Sequence, residues 1–260
     1  MGISLVALTP VFLISLRDHR SLPTKEVRIA FLGGLLFAVD LSLWATGVML
    51  SGATNPTLLA NTAPVWVGIG ALLIYKEKLP LLFWIGLVIA MMGGVLVLGA
   101  DALQAMELGV GTFLGMLAGI FYGVYFLVTQ RGRQTLNALT YFWFSAFSAT
   151  LVLLIINLVL RQPLLGYSSR AYLSLVGLGL FSQGMGWLAI NFAQGHLPAT
   201  LVAPTLLGQP VVTALLAGPL LGERLSWLEL LGGVTVLVGV YIVHRSRSNT
   251  HHRNRSGRNA

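Results

Sequence analysis

The amino-acid sequence predicts an all-α, polytopic membrane helix bundle: two inverted five-helix repeats with the first helix of repeat one missing, leaving about nine spans. Three observations predict it. Apolar residues fill 56% of the 260 positions and charged residues only 9%, where a soluble domain carries about a quarter charged residues. That is too few charges for a polar shell, so lipid must cover much of the surface. Long apolar runs recur with short breaker-rich linkers, and the second half of the chain repeats the first at a fixed offset.

A helix needs about 20 apolar residues to cross roughly 30 Å of hydrocarbon. Eight runs meet that length: 29–50, 55–75, 80–99, 108–128, 138–160, 171–192, 198–220 and 226–244. A ninth, from Gly2 to Leu16, is shorter. Pro56, Pro80 and Pro198 stand just inside helix starts, where a missing N–H costs least. Arg17–Arg28 is a polar connection. The segment 245–260 reads as a basic, disordered tail.

The formal net charge is +8, yet the basic residues sit at the ends of apolar runs or in the tail. That distribution marks a membrane face and argues against nucleic acid as partner. With the tail placed in the cytoplasm, thirteen of the sixteen Lys and Arg residues fall on the inner side. Arg161, Arg170 and Arg224 alone fall outside. The C-terminus is therefore expected inside, and nine spans put the N-terminus outside. Cysteine is absent, which excludes disulfides and cysteine-held metals. No cofactor is expected, and no Walker-type loop supplies an ATP site. The G-x-G at Gly109 and Gly111 is followed by apolar sequence with no strand before it, so it is not a dinucleotide loop.

A shift of 146 positions lays one half on the other without a gap. Gly33 meets Gly179, Ala53-Thr54 meets Ala199-Thr200, and Pro64-Val65 meets Pro210-Val211. Glu77 meets Glu223, Leu79 meets Leu225, and Gly86, Val88 and Gly93 meet Gly232, Val234 and Gly239. The first repeat covers residues 1–100 and the second 107–244. Glu77 falls on the inner side and Glu223 on the outer, so equivalent segments run antiparallel. Inverted repeats are a hallmark of secondary transporters, which hold their substrate near the midplane. Inversion requires an odd number of spans per repeat. The offset thus implies that roughly 40 residues, one span and part of the next, precede the chain; the other reading is a nine-span variant.

The two copies of the repeated block read NTAPVWVGIGALLIYKEKLPLLFWIGLVIAMMGGVLVLG and TLLGQPVVTALLAGPLLGERLSWLELLGGVTVLVGVYIV. Their Pro-to-Glu spacing, their G/K-E-R/K-L step and their trailing glycines resemble the EamA-type branch of the drug/metabolite transporter superfamily, over residues 29–244. The resemblance implies ten helices in two inverted repeats, cytoplasmic termini, a plasma-membrane location and a central cavity. It also implies secondary transport of metabolites, amino acids or drugs. The chain departs from the family in lacking the first helix.

Seven residues are candidates for binding a solute. Asp40 is the only acidic residue deep within a predicted span. Intramembrane charges usually face a cavity and mark pathways, so Asp40 is expected to carry a proton or meet a cationic solute; a structural hydrogen bond is the plainer reading. Trp44 follows four residues later on the same helical face. Gln183, Trp187 and Asn191 recur at four-residue spacing on the counterpart helix. They form either a pocket wall with cation–π capacity or a packing stripe with interhelical hydrogen bonds. Asn61 and Gln209 precede the repeated prolines Pro64 and Pro210, where the loosened backbone is tolerated if it lines a cavity. Tyr122 and Asn157 are weaker candidates.

Gly115, Gly119 and Gly123 form a stripe suited to close helix contact. Glu77 and Glu223 stand beside Lys78 and Arg224, and a local ion pair at each helix end is the simplest role for them. The reading is of a carrier for a small polar or cationic solute, with a proton as possible coupling ion. A membrane-embedded enzyme would need a nucleophile–base or metal constellation, and the sequence has no H-E-x-x-H and no cysteine. A non-transporting scaffold is the remaining alternative.

Overall fold

The computed structural model describes residues 1–17, 22–98, 109–222 and 226–256. The described residues are helical, with no strand. In chain order the elements are α1 (Gly2–Arg17), α2 (Thr24–Ser51), α3 (Thr54–Ala60), α4 (Ala63–Ile74), α5 (Leu81–Leu98), α6 (Val110–Gly132) and α7 (Ala138–Val159). There follow α8 (Ser169–Gly177), a π-helical segment (Leu178–Gly186), α9 (Trp187–Gln194), α10 (Ala199–Thr205), a 3-10 turn (Leu206–Gly208), α11 (Gln209–Leu221) and α12 (Trp227–Ser256).

Seven helical stretches among the described residues are long and apolar enough to cross a membrane: Thr24–Ser51, Thr54–Ile74, Val110–Gly132, Ala138–Val159, Ser169–Gln194, Ala199–Ala217 and Trp227–Arg247. The apolar helices at Gly2–Leu16 and Leu81–Val97 fall short of that length. The final helix differs from the sequence expectation. It continues to Ser256, well into the segment read as a disordered tail. Once a helix is nucleated, each further residue adds a hydrogen bond at little cost, so a polar extension can prolong it. Glu223 and Leu225, used in aligning the repeats, and Arg224, read as the ion-pair partner of Glu223, lie outside the described residues.

The chain forms two compact units, Met1–Ser42 with Val124–Ala199 and Leu43–Gly123 with Thr200–Ala260. In the first, α1 packs on α7 through Phe12, whose ring stacks on Trp143 at 4.2 Å. The Trp143 indole N–H donates to Thr9 Oγ1 at 3.0 Å. The α2 helix approaches α7 at Gly34, where a Cβ would lie 2.7 Å from Ser148 Cβ. Ser148 Oγ donates to the Phe31 carbonyl at 2.8 Å, satisfying a hydroxyl that lipid could not. Asn137 caps α7 by accepting from the Thr140 N–H at 2.8 Å.

In the second unit α5 and α12 run antiparallel, in contact through their glycines. A Cβ on Gly86 would lie 2.9 Å from the Gly239 carbonyl oxygen, and one on Gly93 2.7 Å from that of Gly232. The glycine stripe of α6 does what its spacing predicts. Gly115 meets Pro56, Gly119 the Leu59 carbonyl and Gly123 the Trp66 Cβ, each too close for a side chain.

At the end of α4, Lys76 turns to a left-handed φ of 54°. The Glu77 N–H then donates back to the Ala71 carbonyl at 3.0 Å, closing the helix end after a left-handed residue. The turn aims Glu77 away from Lys78. Its carboxylate accepts from Arg247 at 2.6 Å and from Thr200 Oγ1 at 3.3 Å. The expected local pair with Lys78 is thus replaced by a long-range pair to α12.

Candidate functional site

The predicted residues divide between the two units. Asp40, Gln183, Trp187 and Asn191 belong to the first; Trp44, Asn61 and Gln209 belong to the second.

In the first unit, Asp40 is 6% exposed and has no basic ion-pair partner among the described residues. One helical turn earlier on its face stands Phe37. Phe37, Tyr125 and Trp187 form a closed aromatic group, with centroid distances of 5.1 Å for Phe37–Tyr125, 4.5 Å for Phe37–Trp187 and 5.6 Å for Tyr125–Trp187. The two pairs that include Trp187 are close to edge-to-face, the arrangement favoured by the ring quadrupoles. The buried Tyr125 hydroxyl faces the side chains of Asn191, Thr129 and Ser145, with the Asp40 carboxyl within electrostatic reach. Thr129 also accepts from the Tyr141 hydroxyl at 3.1 Å.

The amides behind this group are incompletely satisfied. Asn191 is fully buried and donates through Nδ2 to the Trp187 carbonyl at 2.8 Å. Its Oδ1, the Gln183 Oε1 and both polar atoms of Gln194 are buried without a hydrogen-bond partner among the described residues. Each such atom costs roughly 1–3 kcal/mol, so natural proteins retain few of them. Gln183 lies in the π-helical segment, which the sequence did not reveal. Its i→i+5 winding displaces Gln183 from the straight stripe with Trp187 and Asn191, and π segments recur at functional sites. A Cβ at Gly179 in this segment would lie 2.7 Å from Ile3 of α1, so the segment packs closely on α1.

Arg133 anchors the far end of α9. Its Nε donates to the Asn191 carbonyl at 2.7 Å and one terminal nitrogen to the Leu136 carbonyl. A cation there meets the unsatisfied carbonyls and negative end of the helix. Burial lowers the Arg133 pKa from the ordinary arginine value, and the Tyr141 phenol opposes the shift.

In the second unit, the Trp44 indole donates to Thr57 Oγ1 at 3.1 Å, tying α2 to α3. Asn61 follows α3 at the break before α4 and lines an apolar cavity of ≈ 270 Å³ with Pro210. Gln209 is exposed at the start of α11. The weaker candidate Asn157 donates to the Leu153 carbonyl of its own helix at 2.7 Å. Sequence reasoning passed over Phe37, Tyr125 and Arg133. Phe37 was detectable by its three-residue spacing from Asp40; the other two carry no local signal.

No metal-holding group of three or more His, Cys, Asp or Glu side chains occurs among the described residues. The sequence profile of the EamA-like transporter family matches residues 1–99 and 109–245. The chain belongs to the EamA-like transporter family. A Bacillus subtilis (strain 168) protein described as the uncharacterized transporter YdfC is 27% identical over 219 residues, covering 83% of this chain and 71% of that protein. An uncharacterized transporter of Clostridium kluyveri is 21% identical across 84% of this chain and 72% of its own length. One from Archaeoglobus fulgidus is 26% identical across 86% and 78%. A solved crystal structure has the same fold, with a TM-score of 0.77 at 16% identity, over 92% of this chain and 82% of that one. This EamA-like protein is therefore an integral membrane transporter.

Proposed function

We propose that this EamA-like protein is a secondary carrier, moving a small polar or cationic metabolite by alternating access between two inverted repeats. The observation that carries the site is Asp40: a buried carboxyl with no basic partner among the described residues, beside the Phe37–Tyr125–Trp187 group. A carboxyl so placed is favoured when it binds a proton or a cationic group. The aromatic faces suit cation–π contact, and the unsatisfied oxygens of Gln183 and Asn191 offer acceptors for a solute N–H or O–H.

Inversion is supported by the glycine contacts of α5 and α12. Gly86 and Gly93 correspond to Gly232 and Gly239 under the 146-residue offset. The contacts are Gly86 with Gly239 and Gly93 with Gly232. Such reciprocal exchange is what a two-fold axis between the helices produces. A carrier built this way interchanges its inward and outward openings when one repeat adopts the shape of the other. The distribution of basic residues supports a cytoplasmic C-terminus.

The test is uptake of a panel of radiolabelled amino acids and organic cations into vesicles under an imposed pH gradient. Wild type accumulates at least one of them in response to the gradient, and Asp40→Asn loses that response. Equal gradient-driven accumulation by both proteins refutes the role given to Asp40.

A further inference from the structure

The cavity of ≈ 270 Å³ in the second unit lies against two interruptions of helix. One is the Asn61–Thr62 break between α3 and α4; the other is the 3-10 turn at Leu206–Gly208. Under the 146-residue offset Asn61 corresponds to Leu207 and Thr62 to Gly208, so the same position is broken in both repeats. Met91, Met92 and Gly94 of α5 close the cavity.

Its walls are apolar almost throughout. The Thr62 hydroxyl is already engaged, donating to the Leu59 carbonyl at 2.6 Å and accepting from the Trp66 indole at 3.1 Å. Val88 and Met92, at the mouth, are 55% and 61% exposed. With Ile85 they form an exposed apolar stripe on α5, turned away from the Gly86–Ala90–Gly93 face that packs on α12, and Leu82 at the start of the helix is exposed as well. In a membrane protein such a stripe meets acyl chains.

Water gains little in so apolar a space, and an unfilled one forfeits dispersion contacts. An apolar cavity of ~150 Å³ already takes a benzene molecule, and this one is larger. Two methionines on the wall can reshape to a flexible guest. We infer that the cavity holds the acyl chain of a bilayer phospholipid, inserted past Val88 and Met92 to lie against both helix breaks. This is independent of the role of Asp40.

The protein is reconstituted with a phosphatidylethanolamine carrying a diazirine midway along one acyl chain, photolysed, and the adducts mapped by peptide mass spectrometry. Carbene adducts are expected on Leu207 and Val95 as well as on the outward residues Leu82 and Ile85. In Gly94→Leu, whose added side chain fills open space, the Leu207 and Val95 adducts disappear and the outward ones remain. Independently of that variant, excess unlabelled long-chain phospholipid suppresses the inner adducts in wild type, and water-soluble dibutyryl phosphatidylcholine does not. Adducts confined to Leu82 and Ile85 overturn the inference. So does inner labelling that persists in a folded Gly94→Leu, or that is displaced by aqueous leucine or phenylalanine.

Discussion

Gly93 and Gly232 meet backbone to backbone: a methyl group added to Gly93 would lie 2.7 Å from the Gly232 carbonyl oxygen. The next residue, Gly94, has nothing within 4 Å of the same position. Adjacent glycines on one helix therefore answer the same substitution in opposite ways. Gly93→Ala forces α5 off α12 and destabilises the protein by about 1–3 kcal/mol. Gly94→Ala leaves packing intact and restricts the unfolded chain, so it is neutral or stabilises by up to about 1 kcal/mol. Thermal melts in one detergent give the order: Gly93→Ala lowest, then wild type, with Gly94→Ala equal to wild type or higher.

The Glu77–Arg247 pair joins the end of α4 to α12, with side chains 17% and 10% exposed. A hydrogen bond between charged groups contributes about 1.5–3 kcal/mol. Glu77→Gln and Arg247→Gln should each lower stability by an amount in this range, and the double variant should cost far less than their sum. Replacing Lys78 by Gln should leave stability nearly unchanged. A double-mutant cycle read by chemical unfolding checks both statements.

Arg133 serves two carbonyls with one guanidinium, those of Asn191 and Leu136. Lysine carries the charge but lacks the planar fork. Arg133→Ala and Arg133→Lys should both loosen α9, each by about 1–3 kcal/mol. Faster hydrogen exchange at the amides of residues 191–195, relative to those of α7, is the expected signature.

Asp40→Asn should abolish the gradient-driven part of transport, leaving uptake at the level seen without a gradient. Trp187→Ala should weaken apparent solute affinity and leave the response to the pH gradient in place. Uptake measured across solute concentrations and across gradients separates the two effects.

The helices were legible because lipid imposes a crude requirement, about 20 apolar residues per crossing, that composition satisfies visibly. The helix break at Asn61–Thr62 was legible for a related reason: Pro64 advertises a loosened helix. The π-helical winding of Leu178–Gly186 was not legible, nor was the approach of Gly179 to Ile3 within it, a contact no local pattern encodes. Tyr125 was hidden because an aromatic residue in an apolar span reads like any lipid-facing one until its hydroxyl is seen facing Asn191 and Ser145. Glu77 misled: Lys78 stood beside it in sequence, but the left-handed turn at Lys76 sent its carboxylate to Arg247, 170 residues away. Asp40 and Trp187 stood out as a charge and an indole where lipid favours neither, and the structure buries Asp40 and packs Trp187 on Phe37 and Tyr125.

Inversion of the repeats is most directly tested by which side of the membrane their equivalent loops occupy. The natural sequence has no cysteine, so Lys78→Cys and Ser226→Cys each introduce a single thiol. In intact cells, a membrane-impermeant maleimide should label the cysteine at 226 at once and the one at 78 only after permeabilisation. Labelling of both from the same side would mean that the halves run parallel, and the alternating-access carrier proposed for this chain would lose its structural basis.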